Sequence, residues 1–82
     1  MKTTEVNKEL IGRRCECIFT GLMVTGVIED TEENEHTIEV KVRFDRPHQW
    51  GDDLYNDVWA WGRKIDEFGT LRHLQLLSLI HI

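Results

Sequence analysis

Aromatic side chains are what this sequence has most of to offer a ligand. Trp50, Tyr55, Trp59, Trp61 and Phe68 all fall within residues 50–68, with Pro47 just ahead of them. Trp59 and Trp61 stand two apart, and on an extended strand that spacing sets neighbouring indoles on one face. Such a surface stacks on bases, proline rings or alkylated ammonium groups. The competing use is core filling, because the chain is short of large apolar residues, and for Trp59 and Trp61 the sequence allows both readings. Trp50 differs, lying in a polar, proline-containing stretch where partial exposure is expected. The expected ligand-binding set is Trp50, Tyr55, Trp59 and Trp61.

A second set is basic. Lys41 and Arg43 alternate on one strand, and Arg63 and Lys64, with Arg13 and Arg14, complete the cations that could position phosphates. The plainer account makes them a solvated face paired with Glu16, Glu39 and their neighbours. For metal, Cys15 and Cys17 with His36, His48, His73 and His81 supply suitable ligand types. Structural zinc sites, however, favour C-x₂₋₄-C spacings on turns, and these thiols lie mid-strand, where they read as small apolar residues. Asp52, Asp53 and Asp57 lack the spacing and glycine of a calcium loop. No nucleophile elbow, phosphate loop or HExxH occurs. His48 with Asp52, or His73 with Asp66, can be drawn as acid–base pairs, but four histidines in a small protein always allow such drawings. Neither an enzyme nor a cofactor is expected.

The element that must position these groups is Thr37–Asp45. Apolar residues fall at 38, 40, 42 and 44 and charged ones at 39, 41, 43 and 45, the period of two of a half-buried strand. Three of the four apolar positions are β-branched, which suits a pleated surface. Before it, residues 13–20 form a strand with Cys15, Cys17 and Phe19 on one face. Residues 22–29 form another, with the sets Leu22/Val24/Ile28 and Met23/Val27. Thr20-Gly21 is the turn between them. Gly26 marks a bulge, a bend or a close backbone approach. Asn7 is expected to cap a turn of helix through Leu10.

Residues 29–35 hold five acids and no base, while the rest of the chain carries ten of each, so the net charge of −5 belongs to one tip. That stretch is expected to be a hairpin loop. Residues 45–53 are expected to be the longest loop, because Pro47 cannot hold a central ladder position. A strand over about 55–65 follows, with Trp59 and Trp61 opposite Val58 and Ala60, and Gly62 shifting the register to return Ile65 to the core. After a turn at Asp66–Gly69, residues 71–77 read as a short strand returning to the first, although Leu71, Leu74 and Leu77 also fit a helical turn. Residues 78–82 are similar to a translated sequencing adapter and are set apart as a non-native tail; a closing strand is the alternative.

Eighty-two residues make one domain, which buries only about 60–65 % of its unfolded surface. No apolar run reaches the roughly 20 residues of a membrane span, and the polar start is no signal peptide. Two thiols too close along a strand to bridge each other fit a reducing, cytoplasmic compartment.

Five short strands with turn signals every 8–12 residues and no long helix predict a mainly β fold, a small antiparallel five-stranded barrel. The entry Leu10-Ile11-Gly12-Arg13-Arg14, the strand Val24-Thr25-Gly26-Val27-Ile28, the strand Ile38–Phe44 followed by Asp45, and the final Asp66…Gly69-Thr70-Leu71 resemble the SH3-like small barrels of bacteria over residues 10–77. That group includes Tudor-, chromo- and KOW-like modules, so the resemblance implies binding of a peptide, nucleic acid or ribosomal RNA through an aromatic or basic edge. The acidic tip departs from the basic KOW pattern. An OB-type barrel is the alternative fold. The expected function is a non-enzymatic module holding a peptide or protein partner, favouring basic ones. The alternative is a nucleic-acid-binding barrel using Lys41, Arg43, Arg63 and Lys64 with stacking aromatics. Assembly with further copies of the chain is a third expectation, since small domains gain stability that way.

Overall fold

The computed structural model describes residues 3–64 and 74–77. Five strands form one antiparallel sheet: β1 (Arg14–Phe19), β2 (Leu22–Glu33), β3 (Thr37–Trp50), β4 (Asp53–Arg63) and β5 (Gln75–Leu76), in the order β4-β3-β2-β1-β5. The first four are a meander, and β5 returns to the far side of β1 through Cys15↔Leu76 and Glu16↔Gln75. The returning strand expected near the C-terminus is therefore present. Among the described residues β4 and β5 do not pair, so the sheet is open there.

Alternation builds the core. Cys15, Cys17, Val24, Ile28, Val40, Val42 and Phe44 turn to one face, where Leu10 and Leu74 join them. Ile28, Val40 and Val42 are fully buried, and burial of each contributes about 1.5–3 kcal/mol. Leu10 is delivered by a 3₁₀ turn, Lys8–Leu10, whose N-cap Asn7 accepts a hydrogen bond from the Glu9 N–H at 2.8 Å. That cap is where the polar lead-in predicts it. Leu22, grouped with Val24 and Ile28 by periodicity, is exposed at the start of β2, where the core has run out.

The hairpin turns follow from backbone chemistry. Phe19 and Leu22 pair across Thr20-Gly21, and both central residues have positive φ, 51° and 87°, the geometry whose twist matches flanking strands. Thr20 occupies the left-handed region with a β-branched side chain, which that region disfavours. Trp50 and Asp53 pair across Gly51-Asp52, with Gly51 at φ 65°.

Two expected loops are strand instead. The acidic stretch continues β2 to Glu33, leaving only Asn34–His36 outside the ladder. Its repulsion is relieved by cations from neighbouring segments: Lys8 on Asp30 at 3.1 Å, Lys41 on Glu29 at 3.6 Å and Lys64 on Glu33 at 3.4 Å. Glu29 is itself an extra residue, since Ile28 pairs with Val42 and Asp30 with Lys41; this bulge lets its carboxylate meet two cations on one face. The stretch 45–53 is the second correction. β3 continues to Trp50, and the register slips between Arg43↔Asp57 and His48↔Tyr55. Pro47 sits in that slip, where no ladder donor is required of it. The pairing of Thr37–Arg43 with Arg63–Asp57 is regular through Gly62, so the expected register shift there does not occur. Ile65, the Asp66–Gly69 turn with Phe68, His73, the start of the 71–77 segment and the 78–82 tail lie outside the described residues.

Candidate aromatic site and outer face

Trp50, Tyr55, Trp59 and Trp61 do not form one site; the register slip divides them. Val58 packs inward opposite Val42, yet Tyr55, three residues earlier, also packs against the core. A spacing of three between two inward side chains breaks the alternation, and the break puts Tyr55 and Trp50 with the core face while Trp59 and Trp61 take the other.

At the core-face end a row of rings forms. Phe19 lies 5.1 Å from Phe44 and 5.4 Å from Tyr55, His48 meets Phe44 edge-on at 5.1 Å and 89°, and Trp50 lies 6.4 Å from Tyr55. These are the tilted and T-shaped arrangements that ring quadrupoles favour. The inner rings are anchored in the core, and Trp50 at the outer end is 58 % exposed. Sequence reasoning missed Phe19, Phe44 and His48 as members. The signal was available in the even spacing of 44, 48 and 50, had the strand been carried through Pro47.

On the outer face Trp59 and Trp61 are 37 % and 56 % exposed, so the core-filling reading is wrong for both. Trp59 is paired with Lys41, whose ammonium stands 5.9 Å from the ring centroid, a cation–π contact. The same Lys41 lies 3.6 Å from Glu29 and 4.0 Å from Asp57, while Arg43 lies 3.8 Å from Glu29. Lys64 reaches Glu33 and donates to the Asn34 carbonyl at 3.1 Å. Of the four cations expected to hold phosphates, three are thus matched with carboxylates, though the partners are Glu29, Asp57 and Glu33 rather than Glu16 and Glu39. Arg63 has no ion pair among the described residues.

A second polar group ties three strands together. Arg14 donates to both oxygens of Asp45, at 3.1 and 2.6 Å, and Thr25 donates to the same carboxylate at 2.7 Å. The Arg14 guanidinium, then the Thr25 hydroxyl, hold the Asp45 carboxyl down at about 2, and Asp45 in turn raises Arg14. Asp30 is likewise lowered, by Lys8 and then by the Thr31 N–H.

Cys15 and Cys17 are free and buried. Burial, and then the neighbouring thiol, pushes Cys15 up to about 12, and burial also raises Cys17, the setting of an inert structural cysteine. Among the described residues no group of three or more His, Cys, Asp or Glu is placed to hold a metal ion. No described helix is long and apolar enough to cross a membrane. An open pocket of about 580 Å³ lies between the N-terminal turn and the β2–β3 hairpin, lined by Val6, Lys8, Glu32 and Ile38 among others.

These features define a small antiparallel β domain with two exposed aromatic groups on opposite faces of one sheet. The chain belongs to the family described as a domain of unknown function, DUF7258, whose model matches residues 1–76. No curated protein and no solved structure matches it.

Proposed function

We propose that the chain is a non-enzymatic binding module that holds a peptide segment of a protein partner on the ring row ending at Trp50. The observation that carries this reading is the exposure of Trp50 at the end of rings fixed in the core. A rigid aromatic platform loses little entropy on binding, and exposed tryptophan and tyrosine are the residues on which interface energy concentrates. The strand order supports an SH3-like barrel: a four-strand meander whose short fifth strand returns to the first. Glu32, Glu33 and Glu35 at the far hairpin favour a partner with basic flanks through long-range attraction. The nucleic-acid alternative is the weaker one, since Lys41, Arg43 and Lys64 already face carboxylates.

The test is selection from a displayed peptide library, followed by titration of the enriched peptides against Trp50→Ala. Trp50 is exposed, so the variant keeps the fold. Loss of on the order of tenfold or more in affinity is expected, as for an aromatic hot spot. Enriched peptides that bind the variant equally well would refute the ring row as the site.

A further inference from the structure

β4 is an edge strand of eleven residues. Among the described residues nothing pairs with its outer side. β5, at the opposite edge, is only two residues long. Long free edges are templates for another strand, and proteins usually blunt them with proline, lysine or bulges. Over Asp57–Arg63 β4 has none of these, since its pairing with β3 is regular there.

The residues of that segment match themselves in reverse. In an antiparallel pairing of two copies about a two-fold axis at Ala60, Asp57 faces Arg63 of the other copy. Trp59 then faces Trp61, and Val58 faces Gly62. One side of the joined sheet carries a charge pair, four neighbouring indoles and a second charge pair. The other side carries Ala60 against itself, flanked by valine-on-glycine contacts that leave no crowding. Shifting the axis by one residue either way sets Asp57 against Trp61, or carries it beyond Arg63. An axis two residues earlier gives Arg63 an opposite charge in Asp53 but sets Asp57 against Trp59. Only the Ala60 register gives both charges opposite partners. Among the described residues Arg63 makes no ion pair and Asp57 makes the one 4.0 Å contact to Lys41, so both can meet a partner across the edge.

We propose that the β4 edge is a homodimer interface, in which a second copy of this chain adds antiparallel to Asp57–Arg63 and joins two five-stranded sheets into one. The proposal uses neither Trp50 nor Tyr55, so it stands or falls apart from the ring-row reading. An interface of one strand pair and four indoles belongs to the small class, below about 1,200 Å² in total, so the dimer is expected to be concentration-dependent.

The experiment is sedimentation velocity on the intact chain and on Asp57→Arg and Arg63→Asp variants, each alone and mixed. The wild type is expected to pass from monomer to dimer between about 5 and about 500 µM. Each single variant places like charges opposite each other at both ends, which weakens self-association by on the order of tenfold or more. Mixing the two variants restores opposite pairs at both ends, so a heterodimer forms where neither variant dimerises alone. Both side chains are exposed, and circular dichroism with urea melts checks that each variant folds. If either fails, Asp57→Asn and Arg63→Gln serve in its place, each expected to weaken the dimer without a rescue on mixing. A wild type that stays monomeric throughout would overturn the proposal and leave the edge to a foreign strand. Dimers indifferent to both charge changes, or no rescue on mixing the reversed pair, would also overturn it.

Discussion

Replacing Gly26 by alanine sets two physical arguments against each other with opposite signs. Glycine inside a strand costs about 0.5–1 kcal/mol relative to alanine through lost chain entropy, so propensity alone predicts that Gly26→Ala stabilises the domain. The structure predicts the reverse. A Cβ on Gly26 would lie 2.2 Å from the Arg43 carbonyl oxygen and 2.9 Å from its carbon. Both atoms are backbone, held by pairing on either side, since Gly26 faces Cys15 on β1 and Phe44 on β3. Relief requires β2 and β3 to separate at the centre of the sheet. Overpacking of this kind costs about 1–3 kcal/mol. For 82 residues the whole stability is about 4–12 kcal/mol, so the loss is a large fraction of it. At about 4–8 °C per kcal/mol in a domain of this size, the melting temperature should fall by roughly 5–20 °C. Urea melts followed by circular dichroism give the free energy directly, with an unchanged m-value showing that only stability moved. A Gly26→Ala protein as stable as the wild type, or more so, would refute the close-approach argument.

Other perturbations probe the remaining features. Thr20→Asn should raise stability by about 1 kcal/mol, because asparagine tolerates the φ of 51° that threonine resists; unchanged urea midpoints would count against strain in that turn. Asp45 has a folded-state pKa of about 2, below the ordinary carboxylate value. Its contribution is therefore complete above pH ~4 and lost as pH falls towards 2, and Asp45→Asn should flatten the acid limb of a stability–pH curve, which wild-type behaviour in the variant would contradict. The raised thiols act at the other end: stability is complete below pH ~8.5 and declines as pH rises towards the Cys15 value of about 12. At pH 8 neither cysteine should react with a thiol reagent until denaturant is added, and prompt modification of the native protein would show them accessible. Iodide should quench the fluorescence of Trp50 and Trp61 more strongly than that of Trp59, as read in single-tryptophan variants; equal shielding of all three would remove both aromatic surfaces.

Much of the sheet is legible in the sequence because alternation against a single core leaves an unmistakable mark. Ile38, Val40, Val42 and Phe44 are buried as their spacing requires, and Cys15, Cys17, Val24 and Ile28 complete the same face. The β1–β2 turn and the Asn7 cap are equally local and equally readable. What fails is what depends on a neighbour. The acids of residues 29–33 look like a loop until Lys8, Lys41 and Lys64 are brought beside them from other segments. Pro47 looks like a strand breaker until the register slip gives it a position with no hydrogen bond to make. That slip also decides the site, because it separates Trp50 and Tyr55 from Trp59 and Trp61 at a place where the sequence shows no more than Asn56 and Asp57.

The outward placement of Trp59 and Trp61 is not explained by the needs of the core. On β4 the inward residues are Val58, Ala60 and Gly62, and the outward ones are Asp57, Trp59, Trp61 and Arg63. A domain this small needs apolar volume inside, and turning the strand over would bury two indoles in place of an alanine and a glycine. At about 25 cal/mol per Å² of apolar surface, that exchange would favour the inverted strand by several kcal/mol if room existed for the rings. In the observed orientation Ala60 and Gly62 instead face Val40 and Ile38 across the strand pair. Small residues inside do not require tryptophan outside, where threonine or lysine would serve the strand as well and keep the protein more soluble. Part of the Trp59 surface is answered by Lys41. Trp61, opposite Glu39 and more than half exposed, meets no ring or cation among the described residues, and a second β4 edge set against it would supply an indole partner.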